Sequence, residues 1–187
     1  MNIFQQLENN HSKENSLKIL DFIGKDEKRF EELMHCFFKE TKDYRVPQRA
    51  AHVVSMSFDK NPELITPYIN QLIEHLYKTD LRSPLKRNIL RILQFCEIPD
   101  EERGGVYDRV FGLLINPAED IAVRAFAATV LYNITEYYPE LKPELKSAVE
   151  FVLEEPGCSP GVRSRGKKVW TNLQKDLSEI EKISEKN

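Results

Sequence analysis

Four histidines (His11, His35, His52 and His75) and three cysteines (Cys36, Cys96 and Cys158) are the side chains of this chain best suited to metal or nucleophile chemistry. A metal site built from them would need ligands at short, fixed spacings such as C-x-x-C or H-x-x-x-H, so that one turn or hairpin aims both at the same ion. None of the seven is spaced that way. His35 and Cys36 are adjacent, and adjacent positions on a helix point about 100 degrees apart. No serine sits in the G-x-S-x-G context of a nucleophile elbow. Gly104-Gly105 follows no strand and precedes no Lys-Ser or Lys-Thr pair, so it reads as a local irregularity at a helix start rather than a phosphate cradle. The sequence therefore offers no catalytic residue, no metal ligand set and no cofactor-binding motif, and the expectation is a chain that is not an enzyme.

The charged residues set a second limit. The 187 residues carry a net charge of -3 with a pI near 5.9, whereas a dedicated nucleic-acid binder is basic overall or in one clear block. Nucleic acid is therefore an unlooked-for partner. Three widely separated cysteines suit reduced thiols rather than a disulfide framework. MNIFQQLENN lacks the basic-then-apolar order of a secretory signal. The most apolar stretch, Ile121 to Ile134, contains Arg124 and is too short to span a bilayer. These features point to a cytoplasmic protein with no membrane partner.

The elements that would position any site are read from periodicity. In Asp120 to Thr135, DIAVRAFAATVLYNIT, the residues Val123, Ala127, Val130, Leu131 and Ile134 share one helical stripe. The adjacent small residues Ala127 and Ala128 allow a second helix to come close. The pattern returns from Val46 (VPQRAAHVV), Leu85 (LKRNILRIL) and Val162 (VRSRGKKVW), and these anchors lie 39, 38 and 39 residues apart. Such a period marks a stacked array. A second helix follows in three units, with a core expected at Tyr68, Leu72 and Leu76, at Tyr107, Phe111 and Ile115, and at Leu145, Val149 and Leu153. Asp43, Ser83, Asp120 and Ser159 precede the four anchors and are suited to cap the first helices. Residues 1 to 11 read as polar and frayed. Ser16 to Ile23, stopped by Gly24, and a helix from Asp26 form a degenerate pair. The helix begun near Gly161 runs on through Trp170, Leu173, Leu177, Ile180 and Ile183, with Trp170 expected in the capping core.

A unit of about 40 residues with a V-R-x-x-A-A-x-x-L helix, best matched by Val123-Arg124 with Ala127, Ala128 and Leu131, resembles the HEAT repeat of the armadillo-like family. Val162-Arg163 repeats the spacing with Gly166 and Trp170. Pro47 in the first unit, and Lys86 and Ile89 in the second, depart from it. The resemblance covers about residues 43 to 175. It implies an all-α fold, a right-handed α-α superhelix of stacked antiparallel helix pairs with about nine helices, in one domain over 1–187. The layout is a cap pair at 16–40, repeats at 43–79, 83–116 and 119–155, and a capping helix at 159–183.

The same resemblance makes Lys86, Arg124 and Arg163 a ladder tying neighbouring repeats through Asp43, Asp80 and Asp120. It also puts the second helices on a concave, partner-binding side. Offsets one and two beyond the core positions then give a candidate surface of Asn70, Glu74, Asp108, Arg109, Lys146, Glu150 and Phe151, with Ile69, Ile73, Gly112, Leu113 and Ser147 beside them. The expected function is a scaffold that binds a protein or peptide, as a monomer or weak homo-oligomer. The alternative is a relative of the HEAT-like DNA alkylation-repair glycosylases, whose groove is basic and aromatic; here the candidate set is not basic and Trp170 is the lone tryptophan. The densest basic cluster, Arg163, Arg165, Lys167 and Lys168, reads as a solvated helix start.

Overall fold

A computed structural model describes residues 1–41 and 43–184. All of its regular elements among those residues are helices: ten α-helices and two 3-10 turns. By backbone contacts the chain divides into two compact units, residues 1–96 and 97–187.

The first unit contains α1 (Ile3–Asn9), α2 (Lys13–Ile23), α3 (Glu27–Phe37), α4 (Arg45–Lys60), a 3-10 turn (Pro62–Tyr68), α5 (Ile69–Leu76) and α6 (Ser83–Leu93). Helix α1 corrects the expectation of a frayed start. Asn2 caps it by accepting the Gln5 N–H, and Ile3 and Leu7, one turn apart, are both buried. Two well-placed apolar residues suffice to dock a seven-residue helix that could not persist alone. Gly24 stops α2 with φ 53°, a conformation in which a side chain would be strained, and Asp26 caps α3 through the Arg29 N–H. Helix α4 is the centre of the unit and packs on α1, α2, α3 and α6. Its Ala50 and Ala51 are wholly buried, as the close approach requires.

The second unit contains α7 (Asp100–Ile115), α8 (Ile121–Thr135), a 3-10 turn (Pro139–Leu141), α9 (Lys142–Glu154) and α10 (Pro160–Ser184). Helix α8 packs on α7, α9 and α10, and its Val123, Ala127, Ala128, Val130, Leu131 and Ile134 are all buried. Gly166 does what a small residue at that position should: a Cβ there would come within 3.1 Å of the Leu153 side chain on α9. Helix α7 runs unbroken through Gly104 and Gly105. Burial along α10 fades after Leu173, from half-buried Leu177 to exposed Ile180 and Ile183.

The four anchors Val46, Leu85, Val123 and Val162 are all buried. The second-helix register holds in α5 and α9 at Leu72, Leu76, Leu145 and Val149 but slips in α7. There the buried stripe is Val106, Tyr107, Val110, Leu113 and Leu114, so that of the expected core Tyr107 holds, Phe111 is half-buried and Ile115 is exposed. Helices α5 and α9 are entered from 3-10 turns, whereas α7 starts directly after Pro99. A 3-10 turn advances about 120° per residue against 100° in an α-helix, so its absence displaces the phase of the stripe.

Capping differs in detail from the sequence pattern. Ser159 Oγ accepts from the Val162 N–H, and Asp43 from the Arg45 N–H. Asp120 holds its cap position through its carbonyl, bonded by the Arg124 N–H, while Ser83 lies inside α6 with Arg82 at the cap. The arginine ladder is corrected likewise. Arg124, 6 % exposed, donates to the Leu114 carbonyl at 2.8 Å and to both carboxylate oxygens of Glu155 at 2.7 Å each, not to Asp120. Asp43 pairs with its near neighbour Arg45, and Arg91 bridges α6 to Asp59 and Ser55 on α4. The partner is set by which carboxylate the α9–α10 connection delivers to the buried start of α8.

Because the guanidinium is fully committed inside the fold, Arg124→Ala should leave the buried Leu114 carbonyl and the half-buried Glu155 carboxylate without this donor. Urea denaturation should show a loss of about 3 kcal/mol, while Lys168→Ala, on the exposed side of α10, changes stability by less than about 0.5 kcal/mol.

Candidate functional site

The candidate surface is built separately in each unit. On α5, Asn70 and Glu74 are exposed as expected, Ile69 is half-buried, and Ile73 is fully buried. Ile73 is thereby removed from the surface: α5 is only eight residues long and buries Leu72, Ile73, His75 and Leu76 together, so its apolar face is wider than one stripe. On α7, Asp108 and Gly112 are exposed and Arg109 is half-buried, while Leu113 is buried and leaves the surface for the phase reason given above.

Helix α9 carries the most developed part. Lys146 and Glu150, one turn apart, pair at 3.3 Å. Trp170, reaching across from α10, donates its indole N–H to Glu150 at 2.7 Å, and the Lys146 ammonium lies 5.4 Å from the Trp170 ring centroid. The Trp170 hydrogen bond, then Lys146, holds the Glu150 carboxyl below its usual range. Trp170 is half-buried, so the expectation that it belongs to the capping core is corrected: a buried indole needs an acceptor, and the one supplied sits on the surface of α9. Phe151 stands beside this cluster 61 % exposed. Ser147 is exposed with its hydroxyl donating to the Pro143 carbonyl.

Sequence reasoning did not single out a groove of about 480 Å³ in the first unit, formed where the ends of α3 and α5 meet the starts of α4 and α6. Arg82 lies 3.9 Å from the Tyr44 ring centroid on its wall, and Lys78 pairs with Glu40 across it. His75 forms its floor, packed edge-on to Phe38 at 5.3 Å and tilted against Phe37 at 5.9 Å. No motif announces it, because its residues come from two stretches of chain, 39–47 and 75–85, about 30 residues apart.

Cys36, Cys96 and His75 are held away from neutrality. Burial pushes the Cys36 and Cys96 thiols up to about 11, leaving them protonated and unreactive at neutral pH. Burial, with the Lys78 ammonium adding to it, depresses the His75 imidazole to about 4. Burial disfavours the Lys142 ammonium, yet its hydrogen bonds to Asp176 and Glu136 outweigh that and raise its pKa. That pair of bonds ties the start of α9 to the end of α8 and to α10. Among the described residues no group of three or more His, Cys, Asp and Glu side chains could hold a metal ion, and no helix is long and apolar enough to cross a membrane.

The His75 environment makes a pH prediction. The unfolded chain takes up its proton near pH 6.5, whereas the folded chain resists until about 4. The contribution is therefore complete above pH 6.5 and lost as pH falls toward 4. Between pH 7 and 4.5 the protein should lose on the order of 2 kcal/mol more stability than its His75→Gln variant, measured by urea denaturation at each pH; parallel profiles for the two proteins would contradict this.

A family model described as a HEAT repeat domain matches residues 3–173 of the chain. No match was found among curated proteins or among solved structures.

Proposed function

Because the chain belongs to the HEAT-repeat family, we propose that it is a non-enzymatic scaffold module that binds a protein or peptide on the exposed face of its second helices. The observation that carries this reading is Phe151. A large aromatic side chain left mostly in solvent, one residue along the helix from Glu150 of the Lys146–Glu150–Trp170 cluster, supplies the aromatic anchor that binding hot spots favour. Glu150 is ordered before any partner arrives, which lowers the entropic cost of using it. Asp108, Arg109 and Lys146 would form the rim of the surface in the second unit, and Asn70 and Glu74 the corresponding patch on α5.

The absence of catalysis is part of the same proposal. It is supported by the state of three nucleophile or base candidates: the Cys36 and Cys96 thiols held protonated, and the His75 imidazole near 4, neutral but packed against two phenylalanines. Trp170, with its N–H given to Glu150 and Lys146 over its ring, is not presented for stacking on a base, which favours a polypeptide partner over nucleic acid. We place the protein in the cytoplasm, as a monomer or weak homo-oligomer.

Phe151→Ala should leave the melting temperature within about 2 °C of the parent, since little buried area is lost. It should weaken the partner isolated with the parent chain by about tenfold or more. Calorimetric titration of the purified partner decides the matter: unchanged affinity in Phe151→Ala and in the Glu74, Arg109 and Glu150 charge reversals removes this face from the function.

A further inference from the structure

We infer that the outward face of α10 over residues 163–175 is a second docking surface, and that its partner is a short, extended, acidic polypeptide segment. The charge distribution is the first observation. Residues 97–187 hold twelve Lys and Arg and seventeen Asp and Glu, yet residues 160–175 hold five of the twelve and none of the seventeen. On the helix these cations are not scattered. Val162, Gly166, Val169 and Leu173 turn inward, so Arg163, Lys167, Lys168 and Lys175 project outward with Ser164 and Thr171 between them, and all six are exposed.

Their internal pairing is slight. Among the described residues Arg163, Lys167 and Lys168 take part in no ion pair, and Lys175 meets Glu179 only at 3.9 Å. Arg165 is different: it leans toward α8, within 3.5 Å of the Thr129 hydroxyl and over the Phe126 ring, and belongs to the packing rather than to this face.

Placement along the helix argues that the cluster does not serve stability. The N-terminal end of a helix carries partial positive charge and favours acids, each cation there costing some tenths of a kcal/mol. The first turn of α10 contains no acid and Arg163 closes it. Arg163 stands where the helix itself repels a cation, and Arg163, Lys167 and Lys168 pair with no carboxylate among the described residues, so the cluster adds no ion pair to the fold and is suited to an external anion.

Size and composition select among anions. From residue 163 to 175 the face is about 18 Å long at 1.5 Å per residue, the length of five or six residues of extended chain. Beyond it the same helix exposes the acids Glu179 and Glu181. A nucleic-acid duplex carries a charge about every 1.7 Å for its whole length and would run off the patch onto those acids. Single strands are held by aromatic stacking, and the outward face has no aromatic residue. Nor has it apolar side chains to enter a lipid surface. A run of a few Glu or Asp residues fits within it.

The test uses the full chain and fluorescein-labelled hexaglutamate, with hexaglutamine and an oligothymidylate for comparison, followed by anisotropy in about 50 mM salt, where screening is modest. Hexaglutamate should bind and hexaglutamine should not. The triple variant R163E/K167E/K168E should weaken hexaglutamate by about tenfold or more while its melting temperature stays equal or rises, since R163E adds an acid to the first turn. R163Q/K167Q/K168Q repeats the test should the reversal not fold. Hexaglutamate binding that is absent, or unchanged in these variants, overturns the inference, as does oligothymidylate binding more tightly than hexaglutamate. Phe151→Ala should leave hexaglutamate affinity unchanged, so failure of this surface and failure of the second-helix face can be told apart.

Discussion

The constraint on which each unit rests is the burial of one helix by several others. Helices α4 and α8 hide Ala50, Ala51, Ala127 and Ala128 almost completely, because neighbouring helices crowd them from more than one side. An apolar stripe of this width cannot be satisfied by a single partner helix, and a lone amphipathic helix of this length is marginal in water. Neighbours on several sides are therefore a condition of folding. Small side chains in the stripe set how near those neighbours come, and Gly166 sets it again where α10 meets α9.

The same chemistry takes different roles according to where packing leaves it. Arg124 and Arg163 occupy equivalent positions in the repeat, yet one is locked by Glu155 and the Leu114 carbonyl and the other stands in solvent. The difference arises because α8 is followed by α9, whose C-terminal connection brings Glu155 to Arg124, whereas no carboxylate among the described residues pairs with Arg163. Lys142 and Lys146, four residues apart on α9, divide likewise: one is buried between Asp176 and Glu136, the other lies over Trp170 at the surface. Charge in this protein holds helices together where it is enclosed.

The anchors, the period, the stop at Gly24 and the small residues at 50, 51, 127, 128 and 166 were legible in the sequence, because each reflects a local rule: helical spacing, a positive φ, or room for a close neighbour. The exposed state of Asn70, Glu74, Asp108 and Phe151 followed from the same spacing. Leu113 and Ile115 did not, since whether a helix is entered from a 3-10 turn changes its phase by a fraction of a turn, and no residue pattern at the start of α7 signals that; Ile73 did not because the short α5 buries a face wider than one stripe. Helix α1 was overlooked because two apolar residues in a polar stretch are too weak a signal until something is present for them to dock on.

By itself, then, the sequence determined an all-helical repeat protein of the HEAT family and the identity of its innermost helices, for periodicity is a property of the chain. Only the tertiary structure decided that Arg124 answers to Glu155, that Trp170 reaches out to Glu150, that His75 floors a groove between two distant chain segments, and that the cations of α10 share one open face. Those are relations between residues distant in the chain, created by how the helices are laid against one another, and a one-dimensional pattern holds no measure of them.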